Sequence, residues 1–223
     1  MPNCLHIERP PLWDVRGQYQ RLYAKFMEGN LVHYEPLVAE RKRTMFTALQ
    51  GNVLEIGPGA GPNMQYYPRD IHWIGVEPNP YMHPYLRWFA ERCGLEAELH
   101  QCTVDKMDLP AASVDAVVST LVLCSVPKQS RTLSEIVRVL KPGGQFIFVE
   151  HIAAPRGTQM RLLQNVIQPA WTIVADGCCP NRETWAAIEQ AGFEQVQIEH
   201  FRLPFGPFGP HIAGVAYKAR AQS

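Results

Sequence analysis

Apolar positions follow two different periods along the chain. In the first fifty residues Val15, Tyr19, Leu22, Tyr23, Phe26 and Met27 recur every three to four positions, with Arg16, Arg21 and Lys25 off that stripe. This spacing predicts an amphipathic helix. A second helix is expected over residues 36–49. Beyond residue 50, short apolar runs alternate with helical patterns. Strands are predicted at 53–56, 72–76, 97–102, 114–119, 145–150, 193–200 and 212–218. Helices are predicted at 80–92, at 131–140 with a stop at Pro142-Gly143-Gly144, at 158–175 with Pro169 as a break, and at 182–191. The run at 114–119 is apolar throughout its centre, as a parallel strand buried on both faces requires. The alternation implies a doubly wound α/β fold with a mostly parallel, seven-stranded, Rossmann-like sheet. Residues 1–50 form a helical extension, expected as a lid, and residues 51–223 the domain proper. Ligands in such folds bind beyond the carboxyl ends of the strands.

Composition narrows the picture. Length fits one α/β domain with added elements, and 46% hydrophobic residues suffice for a sizeable core. Lys+Arg and Asp+Glu are 21 each, so the chain lacks the basic footprint of a nucleic-acid binder. No apolar run reaches the roughly 18 residues of a membrane span, and the first residues lack a signal-peptide pattern. Of the cysteines, Cys4, Cys93, Cys102, Cys124, Cys178 and Cys179, none forms a C-x-x-C pair. A reduced, cytoplasmic protein without disulfides or structural zinc is expected.

The stretch Glu55-Ile-Gly57-Pro58-Gly59-Ala-Gly61 carries the chemistry. Glycines lack a Cβ and allow a sharp turn with close approach of a ligand. The turn is expected to open a helix whose free N–H groups favour an anionic group. Glu77 ends the second strand, twenty residues beyond Gly57, where an acid can accept hydrogen bonds from two ribose hydroxyls. A dinucleotide fingerprint would place its third glycine at Pro62. The spacing here is instead E-x-G-x-G-x-G, the form that binds S-adenosylmethionine (SAM), whose product is S-adenosylhomocysteine. Asn63 and Pro78 flank the two halves of this cradle. Thr103, Val104 and Asp105 follow the third strand, where a backbone N–H and an acid could read adenine; Asp105 could equally cap a helix. Thr120 and Leu121 pass beneath the cofactor.

With those residues in view, the run from about Leu37 to Lys218 resembles the class I SAM-dependent methyltransferases. Within them it is similar to the membrane-associated alkyl thiol S-methyltransferases of animals. The broader likeness rests on GPGAG, Glu77, Ser113–Asp115 and LKPGG. The closer one rests on Thr120–Val126 (TLVLCSV), Glu150-His151, Asp176–Cys179 (DGCC), Arg182–Trp185 and Gly209–Ile212. The chain departs from those relatives in having no N-terminal hydrophobic anchor, and in lacking a cysteine after the first glycine of the loop.

The resemblance implies methyl transfer to a small apolar acceptor, most simply a thiol. An O- or C-methyltransferase acting on a phenolic, quinone-like or lipid metabolite is the alternative within enzymes, and a SAM-binding protein without catalysis the alternative outside them. A thiol reacts as its thiolate, and a free alkyl thiol has a pKa near or above about 8.5. A base would help, and His151, directly after the fifth strand, is the candidate; it could instead orient a loop. Asp176 could orient His151 or add a polar contact, or be a turn residue before Gly177. His211 could line the pocket from the last strand or simply end it. Cys178 and Cys179 read as small packing residues, because adjacent cysteines do not match metal-chelating spacing. Tyr19, Tyr23, Phe26, Trp171, Phe205 and Phe208 would build an apolar acceptor cavity. The N-terminal helix reads as a lid, with weak peripheral membrane contact as its other reading.

Overall fold

The computed structural model describes residues 15–221. The reading of the first fourteen residues, Cys4 included, and the side chains of Val15, Phe26 and Met27 lie outside the described residues. Seven strands form one sheet: β1 (Asn52–Ile56), β2 (His72–Val76), β3 (Glu96–His100), β4 (Val114–Thr120), β5 (Leu140–His151), β6 (Gln195–Arg202) and β7 (Pro210–Tyr217), in the order β3-β2-β1-β4-β5-β7-β6. The first five are mutually parallel; β7 runs antiparallel to both β5 and β6. Neighbouring residues of the central strands go to opposite faces. Leu54, Ile74, Val117, Phe146 and Phe148 enter one buried cluster, while Val53, Trp73, Ala116, Val118 and Ile147 enter the other. This two-sided burial is what an unbroken apolar run in a parallel strand encodes.

The helices are α1 (Val15–Phe46), α2 (His83–Cys93), α3 (Gln129–Val139), α4 (Gln159–Val174) and α5 (Thr184–Glu189). Three expectations are corrected here. The two N-terminal helices are one, α1, which continues through Pro36. α4 likewise runs through Pro169 rather than breaking there. A proline inside a helix removes a hydrogen bond and costs about 3 kcal/mol. Both prolines lie on the exposed side, where water can solvate the freed carbonyl. In α1 the burial of Val38 and Phe46 offsets that cost. Finally, the glycine turn opens only a five-residue 3-10 helix, Pro62–Tyr66, not an α-helix.

The buried face of α1 also differs from the apolar stripe. Leu22 is 67% exposed, whereas Gly17 and Ala24, one heptad apart, are buried. Small residues let the helix lie close to the domain, and Tyr19 and Tyr23 stack beside that contact with ring centroids 5.9 Å apart. Further along, Lys42 is fully buried and pairs with Glu35, which also accepts a hydrogen bond from the Tyr66 hydroxyl at 3.2 Å. Among the described residues no helix is long and apolar enough to cross a membrane, and Cys93, Cys102, Cys124, Cys178 and Cys179 are free thiols.

Candidate active site

A cavity of roughly 430 Å³ opens at the carboxyl edge of the parallel strands. Every residue expected at the cofactor lines it except Gly61: Glu55, Gly57, Pro58, Gly59, Asn63, Glu77, Pro78, Thr103, Val104, Asp105, Thr120 and Leu121. Tyr23, Tyr34, Glu35, Ser125 and Asp176 line its other part. Its size suits a small ligand with a few convergent polar groups.

The glycine turn is shaped by backbone that only glycine adopts without strain. Gly57, Gly59 and Gly61 all have positive φ, at 55°, 58° and 89°. At Gly57 a Cβ would also meet Val122 Cγ2 at 2.7 Å. At Gly59 a Cβ would meet no protein atom within 4 Å, because that side of the turn faces the cavity. Glu55 braces the turn from beneath. Its carboxylate accepts hydrogen bonds from Asn63 Nδ2 at 2.7 Å, Tyr67 Oη at 3.0 Å and Trp73 Nε1 at 2.9 Å. Burial pushes its pKa up, and those three donors oppose the shift. Glu55 is therefore a buried support whose lone pairs are largely committed inside the protein.

Glu77 closes β2 over the turn. Its two oxygens accept from the backbone N–H of Gly59 at 3.1 Å and of Asn79 at 2.8 Å, and it is only 6% exposed. Burial lifts its pKa to about 7, against the opposing pull of the Asn79 and Gly59 N–H groups. Two residues that the motif did not flag hold this corner. His83 bonds the Glu77 carbonyl through Nε2 at 2.9 Å, and Asn79 Nδ2 donates to the Gln20 carbonyl of α1 at 3.0 Å. At the rim, Asp105 lies 4.0 Å from Arg131, and its carboxyl is held below the usual range first by the Thr103 hydroxyl and then by Arg131.

The loop after β4 is set by Glu150, which the sequence marked only as part of the Glu150-His151 run. Its Oε1 accepts from Ser119 Oγ at 2.6 Å, Val122 N at 3.1 Å and Leu123 N at 3.2 Å. This clamp holds Leu121 at φ 58°, an uncommon conformation for a branched side chain. Strain of this kind collects at functional sites.

The three residues expected to be catalytic occupy different environments. Asp176, at φ 47° before Gly177, lines the cavity, and its backbone N–H donates to the Tyr19 hydroxyl at 3.0 Å. It does not orient His151. That imidazole meets Cys178 Sγ through Nε2 at 3.0 Å, and its Nδ1 has no partner. His211 faces His151 across the β5–β7 pair and is 2% exposed, with Nδ1 on the Gly209 carbonyl at 2.9 Å. Burial lowers its pKa to about 4, so it is neutral at physiological pH. Neither histidine lines the cavity; Tyr34 stands between the cavity and His211, with ring centroids 5.8 Å apart. Of the aromatic residues expected around the acceptor, Tyr23 lines the cavity. Trp171 and Phe208 stack on each other at 4.1 Å, and Phe205 packs on Tyr34.

The structure also brings together a group that spacing alone dismissed. Cys124, from the loop after β4, Cys178, from the turn after α4, and His151, at the end of β5, place their donor atoms within 4.8 Å of one another. Cys178 pairs with distant Cys124 rather than with adjacent Cys179. The sequence signal was the recurrence of Cys and His in three separate runs, TLVLCSV, EH and DGCC, which only the fold makes neighbours.

Comparison with known proteins agrees with this geometry. Residues 54–148 match the methyltransferase domain family. The YcgJ protein of Bacillus subtilis superposes with a TM-score of 0.66 at 16% identity, over 85% of this chain and all of that one, which establishes the fold. The sheet, the glycine turn and the acid at the end of β2 thus define a class I SAM-dependent methyltransferase. Thiol S-methyltransferase TMT1B of Rattus norvegicus is 41% identical over 82% of this chain and 77% of its own length. Thiol S-methyltransferase TMT1A of Homo sapiens is 36% identical over 89% and 87%. The chain belongs to this thiol S-methyltransferase family.

Proposed function

We propose that this protein transfers the methyl group of SAM to the sulfur of a small apolar thiol, releasing S-adenosylhomocysteine and a methyl thioether. The observation that carries the reading is the division of one cavity into two chemically distinct ends. The Gly57–Gly61 turn, Glu77 and the Thr103–Asp105 segment supply a nucleoside cradle. The rest of the lining sets the apolar and aromatic walls of Tyr23, Tyr34 and Leu121 beside Ser125 and the carboxylates of Glu35 and Asp176, and its Leu121 and Ser125 touch Cys124 of the Cys124–His151–Cys178 group.

In this reading Glu77 accepts the ribose hydroxyls, and the Gly59 side of the turn admits the cofactor. Asp105 reads adenine at the rim, and Thr120 and Leu121 lie beneath the sulfonium. Residues of α1, Tyr23 among them, roof the acceptor and exclude water. Methyl transfer itself is an in-line displacement at an activated carbon, so the protein contributes chiefly proximity and orientation. What remains is the thiol proton, and the Cys124–His151–Cys178 cluster is the part of the site that handles it.

The test is a mass-spectrometric acceptor panel of simple alkyl thiols, phenols, amines and a lipid headgroup amine, with SAM as donor. Methylation confined to thiols is the expected result. Turnover of phenols or amines with inert thiols would overturn the assignment.

A further inference from the structure

We propose that Cys124, His151 and Cys178 form a zinc site with three protein ligands, whose fourth position takes the acceptor sulfur as its thiolate. This rests on the thiol reading above and specifies how the thiol is ionised.

Two thiols and an imidazole suit a thiophilic ion, and zinc binds Cys₂His sets in catalytic sites that keep one position for water or substrate. Tetrahedral zinc with Zn–S near about 2.3 Å and Zn–N near about 2.0 Å needs donor atoms roughly 3.3–3.8 Å apart. The three donors already lie within 4.8 Å of one another, with His151 Nε2 and Cys178 Sγ at 3.0 Å, so small side-chain rotations complete the geometry. No fourth Cys, His, Asp or Glu joins the group among the described residues.

Independent features support the same site. Trp171 Nε1 donates to Cys178 Sγ at 3.2 Å, a contact that stabilises negative charge on sulfur and orients a ligand from outside the metal's own shell. The backbone ties the two cysteine segments together, with Cys179 N–H on the Cys124 carbonyl at 3.0 Å. Cys124 and Cys178 are 2% and 8% exposed, and His151 8%, so the group is shielded from bulk solvent. It is also adjacent to the cavity. Cys124 Sγ contacts the Leu121 carbonyl and Ser125 Oγ, each at 3.5 Å, and both of those residues line the cavity wall.

The chemistry balances. An entering thiol binds zinc as its thiolate and its proton leaves to solvent. The sulfur lone pair then forms a bond to the SAM methyl carbon while the carbon–sulfonium bond breaks, its electron pair staying on S-adenosylhomocysteine. The neutral thioether is a weak ligand and leaves, which frees the fourth position. Net, one thiol and the sulfonium cation give thioether, S-adenosylhomocysteine and one proton.

The experiment uses the full chain, purified without chelator, measured for zinc content and then loaded with cobalt(II). One zinc per chain is expected, together with thiolate-to-cobalt charge-transfer bands and the intense visible bands of tetrahedral cobalt. Cys124→Ser and Cys178→Ser should each diminish those bands. Trp171→Phe, which keeps a ring and removes only the N–H, should weaken metal affinity about 10–100-fold. SAM titration by calorimetry confirms that each variant is folded. A simple alkyl thiol should shift the visible cobalt spectrum, and its methyl thioether should not. Octahedral cobalt, bands unchanged in the serine variants, or a Cys124–Cys178 disulfide in place of metal would overturn the proposal. Full-rate thiol methylation by demonstrably metal-free protein would overturn it and leave the thiol reading intact. A tetrahedral cobalt site in a protein that methylates no thiol would instead overturn the thiol reading and the substrate role of the fourth position.

Discussion

Burial holds Glu77 in a state that costs stability as the pH rises, and both that cost and its proposed return in cofactor binding can be measured. Its carboxyl is 6% exposed and titrates at about 7 instead of the ordinary 4.5, because burial disfavours the charge more than the Gly59 and Asn79 N–H groups favour it. A folded pKa above the unfolded one means stability that is fully present below about pH 4.5 and is lost as pH rises through 7. A rise from 4.5 to about 7 corresponds to roughly 3 kcal/mol over the whole window, of which about 2–3 kcal/mol falls between pH 5 and 8. Glu77→Gln removes the titration. Other groups titrate in both proteins, and the altered hydrogen bonds of the glutamine add only a pH-independent offset. The difference in unfolding free energy between wild type and Glu77→Gln, by urea denaturation without cofactor, should therefore move by about 2–3 kcal/mol between pH 5 and 8, against the wild type at high pH. In the proposed role the carboxylate is the form that accepts ribose hydroxyls, so SAM should bind with release of a proton below pH 7. Its affinity should fall towards tenfold per pH unit there. Calorimetry in buffers of different ionisation enthalpy reads that proton directly. A parallel pH dependence of stability in both proteins, with proton-neutral SAM binding at pH 6, would refute the reasoning.

Further outcomes follow from the same site. Glu77→Ala should weaken SAM binding more than tenfold, since charge-assisted hydrogen bonds contribute about 1.5–3 kcal/mol; calorimetry checks this. Gly59→Ala should cost only about 1–2 kcal/mol of stability, from its positive φ, yet block the cofactor; Gly57→Ala should cost more, because its Cβ also strikes Val122. Glu150→Ala orphans the donors of Ser119, Val122 and Leu123 and should destabilise the fold by about 3 kcal/mol or more in urea denaturation. NADH should give no fluorescence-detected binding, since Pro62 stands where a dinucleotide site needs its third glycine.

Much of this protein is legible in its sequence because its central strands are buried on both faces and its glycine turn obeys strict backbone rules. Strands 53–56 and 72–76 and the loop at Gly57–Gly61 are local features, readable from a few neighbours. The residues expected in the cradle are of this local kind, and all but Gly61 line the cavity. What escaped is non-local. The unbroken helix across Pro36 depends on tertiary burial of Val38 and Phe46, and Leu22 misleads because the real contact face uses Gly17 and Ala24. Glu150 looks like an ordinary strand-end acid until the loop folds over it. Cys124, His151 and Cys178 belong to three segments, and no spacing rule unites them.

The seventh strand in chain order lies inside the sheet, not at its edge. β7 is inserted between β5 and β6, and its pairing with β5 runs from Gln145 to His151. A nascent chain that has not yet delivered residues 210–217 therefore carries β5 as an open edge, through the strongly apolar run Phe146–Val149. Such an edge is a template for pairing with other chains. Synthesis thus passes through an aggregation-prone stage that ends only when residues 210–217 are delivered. Truncations or stalls before residue 210 should be handled by the cell as misfolded protein, not as shortened enzyme.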